Sequence, residues 1–278
     1  TVQHAMHQYK TDRQVNDKLF GFKRTLVHFA VDNNLAYMTT KINGMKTCFL
    51  PFNRGDNNGA GNSPVEGKFA TYYLWEDVFT KDSLLEIISR FMHVQVEKNK
   101  DKKTGKTIKT ETLLFPRYHQ RDVVRKLIAD SKENGAGKNY LIQHSAGSGK
   151  SNSIAWTAHN LSDLHDENDK KVFDKVIIIT DRRILDRQIR DTVSQFQQQR
   201  DIVKGVTTSA ELKEALQDKT KIIVSTLQKF PVIVESMEHL QGKKFAVIVD
   251  EAHSSQSGES TKALKQTLSK LEEAETED

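Results

Sequence analysis

The sequence predicts an α/β chain in two parts: a largely parallel, doubly covered sheet bearing a phosphate-binding loop, preceded by a smaller α+β part. Three observations predict it. Short aliphatic runs at Tyr140–Ile142, Val176–Ile179, Ile222–Val224 and Phe245–Val249 alternate with helical stretches, and continuous apolar strands separated by helices indicate parallel strands buried on both faces. The first run leads straight into a glycine loop, His144-Ser-Ala-Gly-Ser-Gly-Lys-Ser151. Residues 1–93 have a different rhythm, in which alternating stretches such as Thr25–Val31 flank a Gly- and Asn-rich excursion from Asn53 to Gly67, the pattern of strands with an irregular loop.

Taken in order, the elements divide the chain into residues 1–93, 94–115 and 116–278. A helix closes the first part: Leu84, Leu85, Ile87, Ile88, Phe91 and Met92 recur at helical spacing, with Asp82 or Ser83 as its cap. Two stretches, 93–97 and 107–115, flank a tip rich in lysine (Lys98, Lys100, Lys102, Lys103, Lys106) around Thr104-Gly105, which reads as a protruding hairpin. The lysines leave two readings open, a solvated loop or a phosphate-contacting element. Pro116 disfavours helix at Phe115 and marks a boundary. Beyond it, Val123, Val124, Leu127 and Ile128 place a helix over Arg121–Lys132, and Asn152–Leu161 supports another directly after the glycine loop.

Composition removes several classes of function. The 278 residues are 36% hydrophobic and 28% charged, enough apolar material for one large core or two ordinary ones. No apolar run approaches the ~18–20 residues that span a bilayer, so no membrane role is expected. Cys48 is the only cysteine, which excludes an internal disulfide and a cysteine zinc site and suits a reducing cytoplasm. A net charge of +5 and a pI near 9.0 tolerate a polyanionic partner without requiring one. The chain opens at Thr1 without methionine and closes on an acidic, polar stretch; the expectation is a piece of a longer protein.

The loop carries the chemistry. Gly147 and Gly149 allow backbone angles closed to other residues, so successive N–H groups of 145–149 can face phosphate oxygens. Lys150 supplies a cation for the terminal phosphates and Ser151 a hydroxyl for Mg²⁺, at the amino end of a helix whose partial positive charge favours anions. His144 stands where the general pattern has glycine. Downstream, Phe245–Val249 ends in Asp250-Glu251-Ala-His253. A buried strand ending in two acids sets them at the carboxyl edge of the sheet beside the phosphate loop. Asp250 is then a candidate Mg²⁺ ligand, Glu251 a candidate to orient or deprotonate the attacking water, and His253 a coupling residue. Together the two motifs predict NTP binding and hydrolysis.

These motifs resemble motifs I and II of superfamily 2 helicases and translocases, which implies a RecA-like motor lobe. The resemblance makes Gln120 of Pro116-Arg-Tyr-His-Gln120 the adenine contact and His144, Ser145, Ala146, Gly147, Ser148, Gly149, Lys150 and Ser151 the phosphate cradle. Asp181–Gln188 and Ile222–Gln228 look like the segments that grip DNA, with Arg182, Arg183, Thr226 and Gln228 as donors to phosphate oxygens. More narrowly, Phe115–Gln120, the phosphate loop, Thr180–Arg187 and Asp250–Gly258 are similar to the restriction subunit of type I restriction–modification enzymes, as are Gln8–Arg13, Phe49–Asn53 and Tyr73–Glu76 upstream. That resemblance covers nearly the whole chain and implies the C-terminal part of a nuclease-type domain (1–93), a hairpin or linker (94–115) and the first helicase lobe (116–278).

It further implies a bacterial or archaeal cytoplasmic enzyme, an ATP- and Mg²⁺-dependent translocase of double-stranded DNA working with modification and specificity subunits. The family's nuclease centre, of acids and a lysine around a metal, is not found here. Glu97-Lys98 has the wrong spacing, and Gln8 and Tyr9 are at most its edge. A second lobe with its arginine finger is expected after Asp278, so the chain alone is expected to bind ATP better than it hydrolyses it. Two alternatives stand beside this reading: another superfamily 2 helicase or type III restriction subunit, and a non-hydrolysing DNA- or partner-binding scaffold.

Overall fold

A computed structural model describes residues 1–250 except 15, 58, 101–104, 181–182, 196–201 and 227–241, with side chains 98–100, 183–188 and 209 also outside the description. The chain forms two compact units, Thr1–Asp122 and Val123–Asp278.

The first unit is built on a small antiparallel sheet. Strands β1 (His28–Val31), β2 (Ala36–Thr39) and β3 (Leu50–Pro51) pair in that order, and helix α1 (Val2–Thr11) precedes them. The turn between β1 and β2 is organised by Asp32, whose carboxylate accepts from the backbone N–H groups of Val2, Asn34 and Leu35 at 2.7, 2.9 and 2.8 Å. The core gathers Ala36, Met38, Phe52, Tyr73, Leu74, Val78, Ile87 and Phe115, all buried. Phe29 meets Phe52, Phe79 and Phe115 edge-on at 5.1–5.8 Å, the geometry that aromatic quadrupoles favour.

Leu74–Val78 is a π-helical turn, and α2 (Lys81–Glu86) continues into a second one, Ile87–Phe91. The expected cap does not form. Thr80 occupies the N-cap without a side-chain bond, because buried Ser83 turns inward, donating to the Val78 carbonyl and accepting from Arg121 Nη2, each at 2.8 Å. Strands β4 (His93–Lys100) and β5 (Thr107–Leu114) make the expected hairpin, with His93 opposite Leu114 and Lys100 opposite Thr107. Of the tip lysines, Lys102 and Lys103 lie outside the described residues. Helix α3 (Tyr118–Asn134) follows.

The second unit carries a four-stranded parallel sheet in the order β7 (Val203–Gly205), β8 (Ile222–Thr226), β6 (Lys175–Thr180), β9 (Phe245–Val249). Side chains along β6 alternate between two apolar layers. Val176 and Ile178 pack with Ile154, Ala155, Ala158 and Leu161 of α4 (Lys150–Ser162) and with Ile189 and Val193 of α5 (Arg183–Gln195). Ile177 and Ile179 pack with Leu212, Ala215 and Leu216 of α6 (Ser209–Gln217). Every residue of β6 is buried, as a strand covered on both faces requires, each aliphatic side chain contributing about 1.5–3 kcal/mol. Thr208 and Glu211 close a capping box on α6.

One predicted strand is missing. Tyr140–Ile142 is irregular, and its side chains are 43%, 91% and 43% exposed. β-propensity expresses packing against neighbouring strands more than an intrinsic backbone preference. Among the described residues no strand pairs with this run, and the Tyr140 hydroxyl instead donates to the Asp130 carboxylate.

Candidate nucleotide-binding site

The phosphate loop has the backbone its glycines were expected to allow. Gly147 has φ 73°, and Gly149, at φ 84° and ψ 36°, is the left-handed N-cap of α4, a conformation costing other L-residues about 1–2 kcal/mol. A Cβ on Gly147 would meet nothing within 4 Å, so at this position glycine serves the dihedral and leaves open space beside the loop. Ser145 and Ser148 close a turn through a 3.2 Å backbone bond. His144 Nδ1 lies 3.1 Å from Ser148 Oγ. That contact gives the non-glycine residue a role the sequence reading did not foresee, and the His and Ser four residues apart within a tight loop were the available signal. Ala146 and Ser151 are exposed.

Lys150, the first residue of α4, and Asp250, which follows β9, come together. Lys150 Nζ lies 3.0 Å from Asp250 Oδ1, with side chains 37% and 4% exposed respectively. Asp250 is held there by its own backbone, whose N–H donates to the Ile179 carbonyl at 2.8 Å and extends the β9–β6 ladder by one rung. The Lys–Asp contact has the distance of an ion pair, and Oδ1 is buried with no hydrogen-bond donor among the described residues. A buried carboxylate oxygen with unused acceptor capacity, beside an open loop at a helix amino end, fits a cation and a phosphate. Asp250 and Ser151 are the oxygen donors suited to Mg²⁺.

The remaining predicted residues are placed as follows. Gln120 is 3% exposed, and its Oε1 accepts from the Arg117 N–H at 2.9 Å, the return half of a capping box at the start of α3. Thr226 ends β8 and is buried at 6% exposure, in register with Thr180. Arg183 opens α5, with its side chain outside the description. Arg182, Gln228, Glu251 and His253 lie outside the described residues. Among the described residues no cluster of three metal-ligating side chains forms, and no helix is long and apolar enough to cross a membrane.

A parallel sheet covered on both faces, with a left-handed Gly-Lys-Ser turn at a helix amino end and an acid after the adjoining strand, defines a RecA-like P-loop nucleotide-binding lobe. The SWI2/SNF2 ATPase family model matches residues 119–273, more than half of the chain, and the chain belongs to that family. It is 30% identical over 159 residues to a type I restriction enzyme endonuclease subunit of Staphylococcus aureus, a match covering 55% of this chain and 16% of that one. It is 29% identical over 206 residues to the C-terminal part of a type I restriction enzyme endonuclease subunit of Mycoplasma pneumoniae, covering 68% and 87%. A helicase of bacteriophage T4 superimposes over 56% of this chain and 50% of its own at 17% identity, with a TM-score of 0.41. The chain thus spans about a sixth of the length of the staphylococcal relatives.

Proposed function

We propose that this chain is the motor-lobe portion of a type I restriction endonuclease subunit, binding Mg·ATP and using its hydrolysis to translocate double-stranded DNA ahead of cleavage by the assembled enzyme. The observation that carries the reading is the 3.0 Å approach of Lys150 to Asp250, which brings the cation of the phosphate loop to the acid at the end of β9. Similarity to type I endonuclease subunits favours this motor over other members of the ATPase family. On this reading residues 1–93 close a nuclease-type domain, 94–115 form the hairpin, and 116–278 are the first helicase lobe. The partners are duplex DNA and the modification and specificity subunits, in the cytoplasm.

The roles follow from chemistry. The loop from His144 to Gly149 shapes the bed for the phosphates, the amino end of α4 favours their charge, and Lys150 leaves Asp250 to pair with the terminal phosphates. Ser151 and Asp250 would hold Mg²⁺, which when bound neutralises phosphate charge. Glu251 orients or deprotonates the attacking water, Gln120 meets the adenine, His253 couples the site to its neighbours, and Arg182, Arg183, Thr226 and Gln228 face the DNA backbone. The test is Lys150→Ala and, separately, Asp250→Ala in the full-length subunit assembled with its partners. DNA-stimulated ATP hydrolysis and translocation-dependent cleavage are expected to vanish in both; retention of hydrolysis in either refutes the assignment.

A further inference from the structure

Charge in this chain is concentrated. Residues 18–47 hold five Lys and Arg against one acid, and residues 93–115 hold six Lys against three acids, so with a net charge of +5 the rest of the chain is net −2. The one acid of the first segment, Asp32, is committed to three backbone N–H groups. The fold brings the two segments together. Lys23 Nζ reaches Glu111 on β5 at 2.5 Å, and Lys23 and Lys41 each place their ammonium group 5.3 Å from the centre of the Phe22 ring. On the hairpin, the register sets Lys98 directly opposite Lys109, two residues from Glu111 along β5.

Two of these features cost stability. Lys23 has φ +67° as the third residue of a turn closed by Arg24 N–H donating to the Gly21 carbonyl at 2.9 Å, the position of a type II turn that glycine normally fills. A non-glycine residue there is strained by about 1–3 kcal/mol, a conformation that recurs at ligand clamps. Like charges at directly opposite register positions of paired strands are also unfavourable, and among the described residues no third strand pairs with this hairpin. Lys23–Glu111 is an exposed pair, 41% and 48%, which contributes little and exchanges readily for another anion. Strand alternation puts Thr107 on the same face of β5 as Lys109, a neutral donor of the kind commonly found at phosphate and sugar oxygens. A two-stranded ribbon also has the width that a duplex major groove admits.

We propose that strands β4 and β5 and the Phe22–Lys23 turn, with Lys41, form a sequence-independent docking surface for the phosphate backbone of duplex DNA. The choice of duplex over other polyanions rests on the motor reading above. The full chain, without nucleotide, is titrated with a fluorescent 30-base-pair duplex of mixed sequence between about 50 and 200 mM KCl, the range in which phosphate contacts are resolved. The variant Lys23→Gly/Lys41→Gln/Lys109→Gln is expected to bind at least tenfold more weakly at the low-salt end. Its slope of log K against log[salt] should be shallower by about 2.7, or ~0.9 per lost phosphate contact. Lys23→Gly alone, which also relieves the turn, should weaken binding without lowering the melting temperature, and Glu111→Gln should tighten it.

The control Lys81→Gln/Lys213→Gln/Lys219→Gln removes the same charge elsewhere and should bind as the parent does. Equal losses in the control, an unchanged slope in the triple variant, or binding to phosphatidylserine vesicles in place of the duplex overturns the proposal. Because no nucleotide is present, Lys150→Ala should leave this binding intact. A failed nucleotide site would therefore refute the motor reading without touching the docking surface.

Discussion

The Lys150–Asp250 pair makes a quantitative prediction that needs no partner protein. At 3.0 Å and an effective dielectric constant of ~20, the gross attraction is about 5.5 kcal/mol. Desolvating the nearly buried carboxylate offsets most of it, and the 37% exposure of Lys150 screens the remainder, leaving a net coupling of about 1–2 kcal/mol. A double-mutant cycle with Lys150→Met and Asp250→Asn isolates that coupling. Trp156, in α4 and 1% exposed, reports unfolding of the second unit by fluorescence in urea, and a Trp75→Phe background removes the tryptophan of the first. Lys150→Met alone should be the most destabilising corner of the cycle, since it strands a buried carboxylate, and adding Asp250→Asn should recover part of the loss. With saturating Mg·ATP the coupling should fall below about 0.5 kcal/mol, because Lys150 then serves the phosphates. Additivity within about 0.5 kcal/mol in the free chain would mean that the two groups do not interact and would refute the reasoning.

Two further predictions concern buried polar groups away from this pair. Arg121, 1% exposed, donates to both carboxylate oxygens of Asp77 at 3.0 and 3.1 Å and to Ser83 at 2.8 Å, so Arg121→Met should cost about 2–3 kcal/mol through lost charge-assisted bonds. Hydrogen exchange over residues 74–91 should accelerate, and Arg121→Lys should not restore it because an ammonium lacks the planar fork; full rescue by lysine would contradict this. Burial holds the His159 pKa below its ordinary 6.5, against the Val193 carbonyl 2.8 Å from Nε2 and the nearby Asp163, which favour the protonated ring. The unfolded chain then binds the extra proton first, so stability is intact above 6.5 and declines as pH falls from 6.5 through the lowered value. His159→Gln, which can still donate to Val193, should flatten that decline as followed by Trp156 fluorescence, and an unchanged pH profile would exclude His159 as its source.

The features readable in the sequence were those whose signal is local. Gly147 and Gly149 had to be glycines for a backbone reason, and their angles of 73° and 84° are what a left-handed turn demands. The approach of Lys150 to Asp250 was readable only in part from strand order. β9 sets Asp250 at the carboxyl edge of the sheet, but the run before the loop is no strand, and it is α4, packed on β6 through Ile154, Ala155 and Ala158, that carries Lys150. Features set by distant partners were not readable. Ser83 looked like a cap until Arg121, 38 positions away, drew it inward. Nothing local announced that Lys23 would take a position suited to glycine, because a residue's dihedral is not visible in its side chain. Of the expected catalytic residues Lys150, Asp250 and Glu251, the last lies outside the described residues.

Tyr140–Ile142 and Phe245–Val249 show how far a local signal reaches. Both are short aliphatic or aromatic runs that end in a functional motif, and both read equally well as buried strands. Phe245–Val249 became one because β6 lies alongside it in register from Lys175 to Ile179, and its backbone groups and apolar side chains are satisfied together. Tyr140–Ile142 has the same composition without a described neighbour, and Leu141 is 91% exposed. A strand is a property of a pair of chains, and a single sequence states only one member of it. The phosphate loop depends less on that pairing than its position after the run suggests. Its conformation is set by two glycines, a His144–Ser148 contact and the first turn of α4, all within nine residues of one another. The conformation of the phosphate loop and completion of the sheet are therefore separable properties of this lobe.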